Sequence, residues 1–334
     1  MPESLPTPVS GLILTQQSSG TDALLQAVSP VNDDIVWVSG HQATYAHTTD
    51  GGDTWAASVM LDAEGLQFRD VAAFNERTAY LMSAGEGELS RIYRTDDSGR
   101  IWTLQYVADH PQAFLDCIDF WDVNRGLAYG DAVDGVPFLL TTSNGGALWE
   151  RVPADALPPA QDGEGGFAAS GTCIAALKDG RAWVAMGNAE RARMLRTADY
   201  GKTWSVTDVP VVGGPASGLT TVHVGSDGAG IALGGRIGQD SLRAPNVAIT
   251  SDGGLTWTAG GPLALDGPAY GSALLPGGAA VAVGPRGLDW SADGGRTWQT
   301  SVTFTYWAVA FSSPRAGWAV GPEGRITKLS FLAR

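Results

Sequence analysis

One eight-residue pattern occurs six times along the chain and constrains the fold more than any other feature. Each copy reads Ser or Thr, any residue, Asp or Asn, any residue, Gly, any two residues, Trp, as in TTDGGDTW. The step between successive Asp or Asn positions ranges from 41 residues (252 to 293) to 55 residues (144 to 199). A period in this range indicates a solenoid, a propeller or an array. The copies occupy residues 48–55, 95–102, 142–149, 197–204, 250–257 and 291–298.

Short apolar runs surround each copy in the same order. Two runs precede the motif, a third run such as RIYRT enters it, and a fourth follows its Trp. Four short strands per repeat, separated by Gly, Asp and Asn turns, predict the blade of a β-propeller. A helical period of 3.6 residues is not sustained anywhere, which disfavours a solenoid of helix pairs.

The two ends of the chain supply strands that lack a motif. The tail TFTYWAVAFSSPRAGWAVGPEGRITKLS contains three more strands, and the head SGLILTQQSS contains one. We therefore predict an all-β fold: a single domain over residues 1–334, a seven-bladed β-propeller with four-stranded blades. The N-terminal strand, near Leu12 to Ser18, is expected to complete the C-terminal blade that starts near Tyr306. This pairing closes the ring and removes open sheet edges.

The residue types of the motif suit a hairpin turn better than a catalytic site. Asp, Asn, Ser and Thr side chains hydrogen-bond to nearby backbone, and Gly adopts positive φ without steric cost. The Trp is expected to bury its ring against the sheet. Catalysis would need unlike residues that converge on one point, whereas six equivalent turns lie in a ring.

Composition excludes some classes of partner. Hydrophobic residues make up 44% of the chain, enough for a core, and the net charge is −14. Such a charge argues against nucleic acid, because phosphate binding depends on basic patches. No apolar run approaches the ~20 residues of a membrane helix, and the start, MPESLPTPVSG, lacks the features of an export signal. The compartment remains open.

The two cysteines and four histidines form no metal-binding or framework pattern. Cys117 and Cys173 occur at similar positions in neighbouring repeats, and we expect small buried apolar residues there rather than a disulfide. The histidines show no paired spacing that would hold a metal. We expect no cofactor, no metal and a monomeric state.

The motif resembles the Asp box of BNR-repeat propellers, a group that includes sialidases. With stretches such as GWAVGPEGRI, the chain as a whole resembles the photosystem II stability and assembly factor family and its bacterial relatives outside photosynthesis. That resemblance implies a protein-binding assembly role at a membrane, in the periplasm or a lumen. A true sialidase is disfavoured, because FRDV at residues 68–71 is the nearest match to the FRIP motif of that family and seven blades are predicted instead of six.

The face opposite the motif turns is the predicted binding face. Turns between second and third strands, and links between blades, lie there and carry many charges. Arg286 and Asp240 belong to this group of charged residues. The predicted binding set comprises Arg69, Asp70, Asp116, Asp131, Asp134, Glu164, Arg191, Arg193, Arg236 and Arg243.

Three classes of function remain open from the sequence. The first is a non-catalytic propeller that recognises a protein, a peptide or an acidic ligand through bidentate arginines. The second is a hydrolase or lyase that acts on a glycosidic or acidic substrate at the channel mouth. Two carboxylates ~5–10 Å apart in a deep pocket would favour that enzyme. The third is a purely structural module whose surface charges pair with one another.

Overall fold

The fold is a ring of seven four-stranded antiparallel sheets, as the sequence predicts. A computed structural model describes residues 9–333 of the predicted domain, so the start of the chain and Arg334 lie outside the described residues. Blade 1 contains β2 (Leu25–Pro30), β3 (Val36–Gly40), β4 (Thr44–Thr48) and β5 (Ala56–Val59). Blade 2 contains β6 (Phe68–Ala73), β7 (Ala79–Ser83), β8 (Arg91–Thr95) and β9 (Thr103–Val107). Blade 3 contains β10 (Leu115–Phe120), β11 (Gly126–Val133), β12 (Val136–Thr142) and β13 (Glu150–Arg151).

The remaining blades follow the same order, with the innermost strand first. Blade 4 contains β14 (Ile174–Ala176), β15 (Ala182–Met186), β16 (Arg193–Thr197) and β17 (Ser205–Asp208). Blade 5 contains β18 (Ser217–Val224), β19 (Gly230–Arg236), β20 (Val247–Thr250) and β21 (Thr258–Ala259). Blade 6 contains β22 (Gly271–Leu274), β23 (Ala280–Gly284), β24 (Gly287–Ser291) and β25 (Gln299–Val302). Blade 7 contains β26 (Ala308–Ser313), β27 (Ala316–Val320), β28 (Arg325–Ala333) and β1 (Val9–Ser18). Within the described residues, the two 3-10 helices, Gly87–Leu89 and Ala154–Ala156, lie in connections between strands.

The N-terminal strand closes the ring as predicted. Strand β1 pairs with β28 in an antiparallel register that runs from Ser18 opposite Arg325 to Val9 opposite Ala333. The strand begins three residues earlier than predicted, at Val9 instead of Leu12, and its blade begins at Ala308. The first and last parts of the chain thus share one sheet, in which β1 is the outermost strand and covers the outer edge of β28.

The core lies between the blades, where both faces of each sheet are covered. Every residue is buried in the second strands of blades 1, 2, 4, 6 and 7. A strand covered on both faces has no need of polar alternation, and these strands read as continuous apolar runs such as AWVAM. Within residues 9–333, no helix has the length and apolar character needed to cross a membrane.

The motif turns, called Asp-box turns below, have one hydrogen-bond pattern. In the first copy Thr48 Oγ1 donates to Asp50 Oδ1 at 2.7 Å and accepts from Gly52 N at 2.9 Å. Asp50 Oδ1 also accepts the backbone N–H of Thr54 at 2.9 Å. The other five copies repeat these contacts. The motif Gly has φ between 74° and 88° in all six, which explains why Gly is required.

Asp-box turns also join neighbouring blades, which the motif alone does not reveal. Arg94 and Tyr80 of blade 2 both donate to the carbonyl of Gly145 in the blade 3 turn, at 2.8 and 2.7 Å. Arg196 and Trp183 of blade 4 donate in the same way to the carbonyl of Gly253 in the blade 5 turn, at 3.2 and 3.0 Å. These two turns therefore fix the positions of blades 3 and 5 against the blades that precede them.

The motif Trp residues differ in burial. Trp149, Trp257 and Trp298 are buried, as expected, whereas Trp55, Trp102 and Trp204 are only half-buried. The expectation of a uniformly buried ring is therefore wrong for three of the six copies.

The expectation that the cysteines are not bonded to each other is wrong. Cys117 on β10 and Cys173 immediately before β14 form a disulfide, with their Cα atoms 6.0 Å apart, and both residues are fully buried. Their similar positions in successive repeats explain the pairing, because equivalent positions at the inner strands of adjacent blades lie side by side around the channel. The disulfide joins the innermost parts of blades 3 and 4.

We expect the Trp298→Ala variant to lose about 3–5 kcal/mol of unfolding free energy, because it removes a buried aromatic ring. The Trp204→Ala variant, in a half-buried copy, is its matched control and should lose less. Equilibrium denaturation of both variants checks this. Equal losses would contradict the role assigned to burial.

We expect the double variant Cys117→Ala, Cys173→Ala to be less stable by about 4 kcal/mol, since the disulfide closes a loop with a sequence separation of 56 residues. Urea denaturation without reductant provides the measurement. Wild-type protein in reductant should approach the stability of the variant. An unchanged midpoint in both samples would show that the bond does not constrain the unfolded chain.

Candidate functional site at the channel mouth

The predicted binding face is where the axial channel opens away from the Asp-box turns; we call this opening the distal mouth. The turns between second and third strands and the links between blades surround it. The longest link, between β13 and β14, does not stay on the rim. Residues 164–172 of this link, called the channel segment below, pass into the axis of the propeller.

The channel segment contacts blades all around the ring. Its Ala168 carbonyl accepts from Gln26 Nε2 of blade 1 at 2.8 Å. Ser170 Oγ donates to the carbonyl of Tyr270, at the entry to blade 6, at 2.8 Å. Thr172 Oγ1 donates to Thr221 Oγ1 of blade 5 at 2.8 Å. Most of the segment is buried, and the disulfide at Cys173 holds its end. The distal half of the channel is therefore filled by the chain itself.

Three predicted aspartates explain the glycines of the channel segment. A Cβ atom at Gly165 would overlap the carboxyl group of Asp131, and one at Gly166 would overlap that of Asp116. At Gly171 the same atom would overlap the carboxyl group of Asp70. The segment approaches these carboxyl groups so closely that only glycine fits.

The same carboxyl groups are buried and hold local structure. Asp70 accepts from Val71 N and from Ile118 N of blade 3, both at 2.7 Å. Burial raises the pKa of Asp70 and Asp116 well above the usual aspartate value, and the nearby Asp131 raises the pKa of Asp116 further. Burial also raises the pKa of Asp131, which accepts from Gly166 N at 3.1 Å. Burial thus favours the neutral forms of all three groups.

Three of the predicted arginines form ion pairs with acidic neighbours. Arg193 pairs with the buried carboxylate of Glu164 at the start of the channel segment through both Nε and Nη2. The other two pairs are exposed: Arg191 Nη1 lies 2.6 Å from Asp208, and Arg243 Nε lies 2.5 Å from Asp266. These pairs fix loops of the rim.

Two predicted arginines, Arg69 and Arg236, have no carboxylate within ion-pair distance among residues 9–333. Arg69 Nε donates to Gln67 Oε1 at 2.9 Å, and Arg236 Nε donates to Ser217 Oγ at 3.0 Å. Both side chains are half-buried. Burial lowers the pKa of Arg69, and nearby Asp116 opposes this shift. The two guanidinium groups come from blades 2 and 5 and retain donors that protein carboxylates do not occupy.

Aromatic residues and a histidine also lie at the distal mouth, and the sequence prediction, which was based on charged residues, did not include them. The rings of Tyr270 and Trp307 stack with centroids 4.4 Å apart at the entries to blades 6 and 7. Trp307 is half-buried, and so is Phe167, which belongs to the channel segment. His41 of blade 1 contacts Gln26 Oε1 at 2.7 Å, and its pKa is lowered by burial and then by Arg69. Trp307 directly precedes the inner strand β26. Inspection of the link positions before each inner strand for aromatic residues would therefore have identified it.

The remaining predicted residues lie on exposed turns. Asp134 occupies the turn between β11 and β12 with φ 54°, and Asp240 and Arg286 are exposed in the corresponding turns of blades 5 and 6. The structure thus divides the predicted set into a buried group against the channel segment, paired arginines, two unpaired arginines and exposed turn charges. Metal-ligating side chains do not gather in groups of three or more within the described part of the chain.

An apolar cavity lies on the same face between blades 5 and 6. It has a volume of about 400 Å³ and is lined by the β19–β20 turn and the link before β22. Leu242, Val247, Leu263 and Leu265 supply much of its wall, and Arg243 and Asp266 lie beside them. An apolar side chain of a bound partner would fit a space of this size and lining.

No protein-family model matches the chain, and no curated protein matches it in sequence. Solved structures with the same fold include "YCF48 bound to D1 peptide", with 18% identity, a TM-score of 0.66, and coverage of 97% of this chain and 99% of that one. YCF48 from Cyanidioschyzon merolae matches with 14% identity, a TM-score of 0.66, and coverage of 95% and 98%. The GH74 xyloglucanase from Xanthomonas campestris has 14% identity and a TM-score of 0.62, with coverage of 96% of this chain and 56% of that chain. The fold expected from the resemblance to the photosystem II assembly factor family is confirmed.

We expect the Gly165→Ala variant to lose about 1–3 kcal/mol of stability, because the new methyl group meets the Asp131 carboxyl group. In the Asp131→Ala background the same change should cost less, and a double-mutant cycle measures the difference. Gly11→Ala is the control, since the nearest atom to its Cβ would be 3.4 Å away. Additive effects at Gly165 and Asp131 would contradict the close approach described here.

Proposed function

We propose that this propeller is a non-catalytic binding protein that recognises an acidic protein segment on the face opposite the Asp-box turns. The observation that carries the proposal is the pair Arg69 and Arg236, two arginines beside a filled channel with no protein carboxylate within ion-pair distance. A planar guanidinium with unoccupied donors suits a carboxylate ligand. Because the channel segment fills the axis, the ligand lies across the mouth.

The residue types around the mouth support a protein or peptide ligand. Arginine, tyrosine and tryptophan dominate the energetics of protein interfaces. Here Arg69, Arg236 and the stacked pair Tyr270 and Trp307 lie near the distal ends of four different blades. The apolar cavity between blades 5 and 6 adds an anchor site on the same face. An acidic peptide with an apolar residue is the ligand that matches this combination.

The comparison with solved structures agrees with this proposal at the level of the fold. YCF48 has a propeller of the same type and has been observed with a D1 peptide bound. The fold therefore accommodates peptide recognition in at least one related architecture. The identity of 18% transfers no individual contact to this chain, so the proposal depends on its own arginines and aromatics.

The hydrolase or lyase alternative has less support on this face. The fold of the GH74 xyloglucanase is similar, so the architecture is compatible with glycoside hydrolysis. The carboxyl groups that would act here, Asp70, Asp116 and Asp131, instead lie against the glycines of the channel segment. A substrate would have to displace that segment to reach them.

The disulfide supports an oxidising compartment. Structural disulfides persist mainly in secreted, periplasmic or lumenal proteins and are rare in the reducing cytosol. Cys117 and Cys173 form such a bond in the innermost part of the ring. We therefore place the protein in a periplasm or a lumen, the location that the family resemblance also implies.

The test is a peptide array that contains acidic peptides with apolar residues and matched peptides in which Gln and Asn replace Glu and Asp. We expect wild-type protein to select acidic peptides. Arg69→Ala and Arg236→Ala should each weaken binding of the selected peptide at least about fivefold, because an arginine that acts as an interface hot spot contributes more than about 1 kcal/mol. Fluorescence anisotropy with the best peptide measures the dissociation constants.

Arg315→Ala is the matched control, because Arg315 is an exposed arginine on the turn between β26 and β27, at the Asp-box end. It should leave the affinity unchanged. Equal binding of the neutral peptides, or unchanged affinity in both arginine variants, would contradict the proposed function.

A further inference from the structure

The opposite end of the channel contains a separate cavity. It has a volume of about 220 Å³ and lies among the innermost strands of blades 3 to 6, near the Asp-box end. Asp119 of β10 and His223 of β18 line it together with residues 174–177, Leu274 and the backbone of Gly225. The channel segment occupies the distal half of the axis, so this cavity opens toward the Asp-box side. The sequence pointed only to the other face.

The Asp119 carboxyl group is fixed in place and retains acceptor capacity. Its Oδ1 accepts from Phe120 N at 2.7 Å, and its Oδ2 accepts from Ala176 N of the next blade at 2.8 Å. Each carboxylate oxygen has a second lone pair, so two backbone donors do not saturate the group. The residue is only half-buried by surface area, so part of it borders the cavity.

The orientation of the His223 ring is also fixed. Its Nε2 lies 2.6 Å from the carbonyl oxygen of Ser272, which can only accept, so Nε2 carries the hydrogen. In the neutral ring Nδ1 then has a lone pair, and it makes no hydrogen bond with residues 9–333. His223 lines the cavity, so its imidazole is the second acceptor-bearing side chain in the wall. Ile174, Leu177 and Leu274 give the rest of the wall an apolar character.

We propose that this cavity binds a small organic cation, a primary ammonium group on a short apolar chain, with Asp119 and His223 as its acceptors. An ammonium group has three donors and no acceptor, which complements a carboxylate and an imidazole lone pair. The volume equals that of about seven water molecules at ~30 Å³ each, enough for an alkylamine of four or five carbons. A lysine side chain or a free alkylamine shares this chemistry.

The protonation of the two side chains agrees with this ligand. Burial raises the pKa of Asp119 to about 7, so the carboxyl group ionises near neutral pH. Burial lowers the pKa of His223 to about 4, which keeps the ring neutral. Asp70 of β6 is a titratable neighbour of Asp119, and burial raises its pKa and so favours its neutral form. The stretch of blade 4 that lines the cavity, residues 174–177, carries no charged side chain.

Binding should therefore strengthen as the pH rises through about 7, because the ammonium group needs ionised Asp119. An alkylamine stays protonated from pH 6 to 8, as its pKa resembles the ~10.4 of lysine. Between these values the ionised fraction of Asp119 rises about tenfold. We expect the affinity for n-butylamine, measured by calorimetry, to rise by about the same factor.

The controls separate the charge from the apolar chain. n-Butanol should bind at least about tenfold more weakly than n-butylamine at pH 8. Asp119→Asn should abolish the preference for the amine, whereas Asp155→Asn, on the exposed 3-10 helix of the β13–β14 link, should keep it. Because Asp119 also accepts from Ala176 N, circular dichroism of the Asn variant must confirm its fold.

A second readout uses the wild-type protein only and stays informative if the Asn variant does not fold. n-Butylamine should shift the ring signals of His223 in an NMR titration, and a peptide carrying a single lysine should produce the same shift if it reaches the cavity. Equal binding of butanol and butylamine would overturn the proposal. So would a shift of His223 by Ni²⁺ with none by the amine. Arg69→Ala and Arg236→Ala should leave amine binding unchanged, which separates this proposal from the proposed function.

Discussion

The axial channel is the constraint on which this structure depends. A ring of blades leaves a hole at its centre, and inner strands that face a hole lose packing on one side. Here the channel segment fills the distal half and contacts blades 1, 5 and 6 directly. The Cys117–Cys173 disulfide fixes the segment where it joins β14. The filled half forms the base of the distal mouth, and the cavity lined by Asp119 and His223 lies toward the Asp-box end.

The fold was predictable because its signal is repeated. Six copies of one turn set the period, and the tail without a motif required β1 to complete blade 7, as the pairing with β28 shows. The contacts between blades were not visible in the motif. Arg94 and Arg196 stand directly before the first residues of their motifs, at positions 95 and 197, and only the structure shows that they reach the turn of the next blade. A long side chain has too many possible partners for its contact to follow from sequence.

The predicted site was only partly accessible to sequence reasoning. The strand order placed the charged residues on the face opposite the Asp-box turns, where the structure also has them, but their partners depend on the path of the long link. The sequence PADALPPAQDGEGG contains no signal that the chain then enters the channel. Asp70, Asp116 and Asp131 were therefore predicted to bind a ligand. The structure places them against Gly171, Gly166 and Gly165 instead. The disulfide was missed for a similar reason, because two cysteines alone do not fix a pairing.

The overall charge of the chain constrains how such a surface can select an acidic partner. With a net charge of −14, the long-range field repels anions, so electrostatic steering does not bring them to the mouth. At physiological ionic strength this repulsion is screened beyond about 8 Å, whereas contacts to half-buried Arg69 and Arg236 are screened much less. Selection of the proposed acidic partner would therefore depend on short-range bidentate contacts and aromatic packing. Under this proposal, partners that cannot reach both arginines would gain little binding energy, so the repulsive background itself would contribute to specificity.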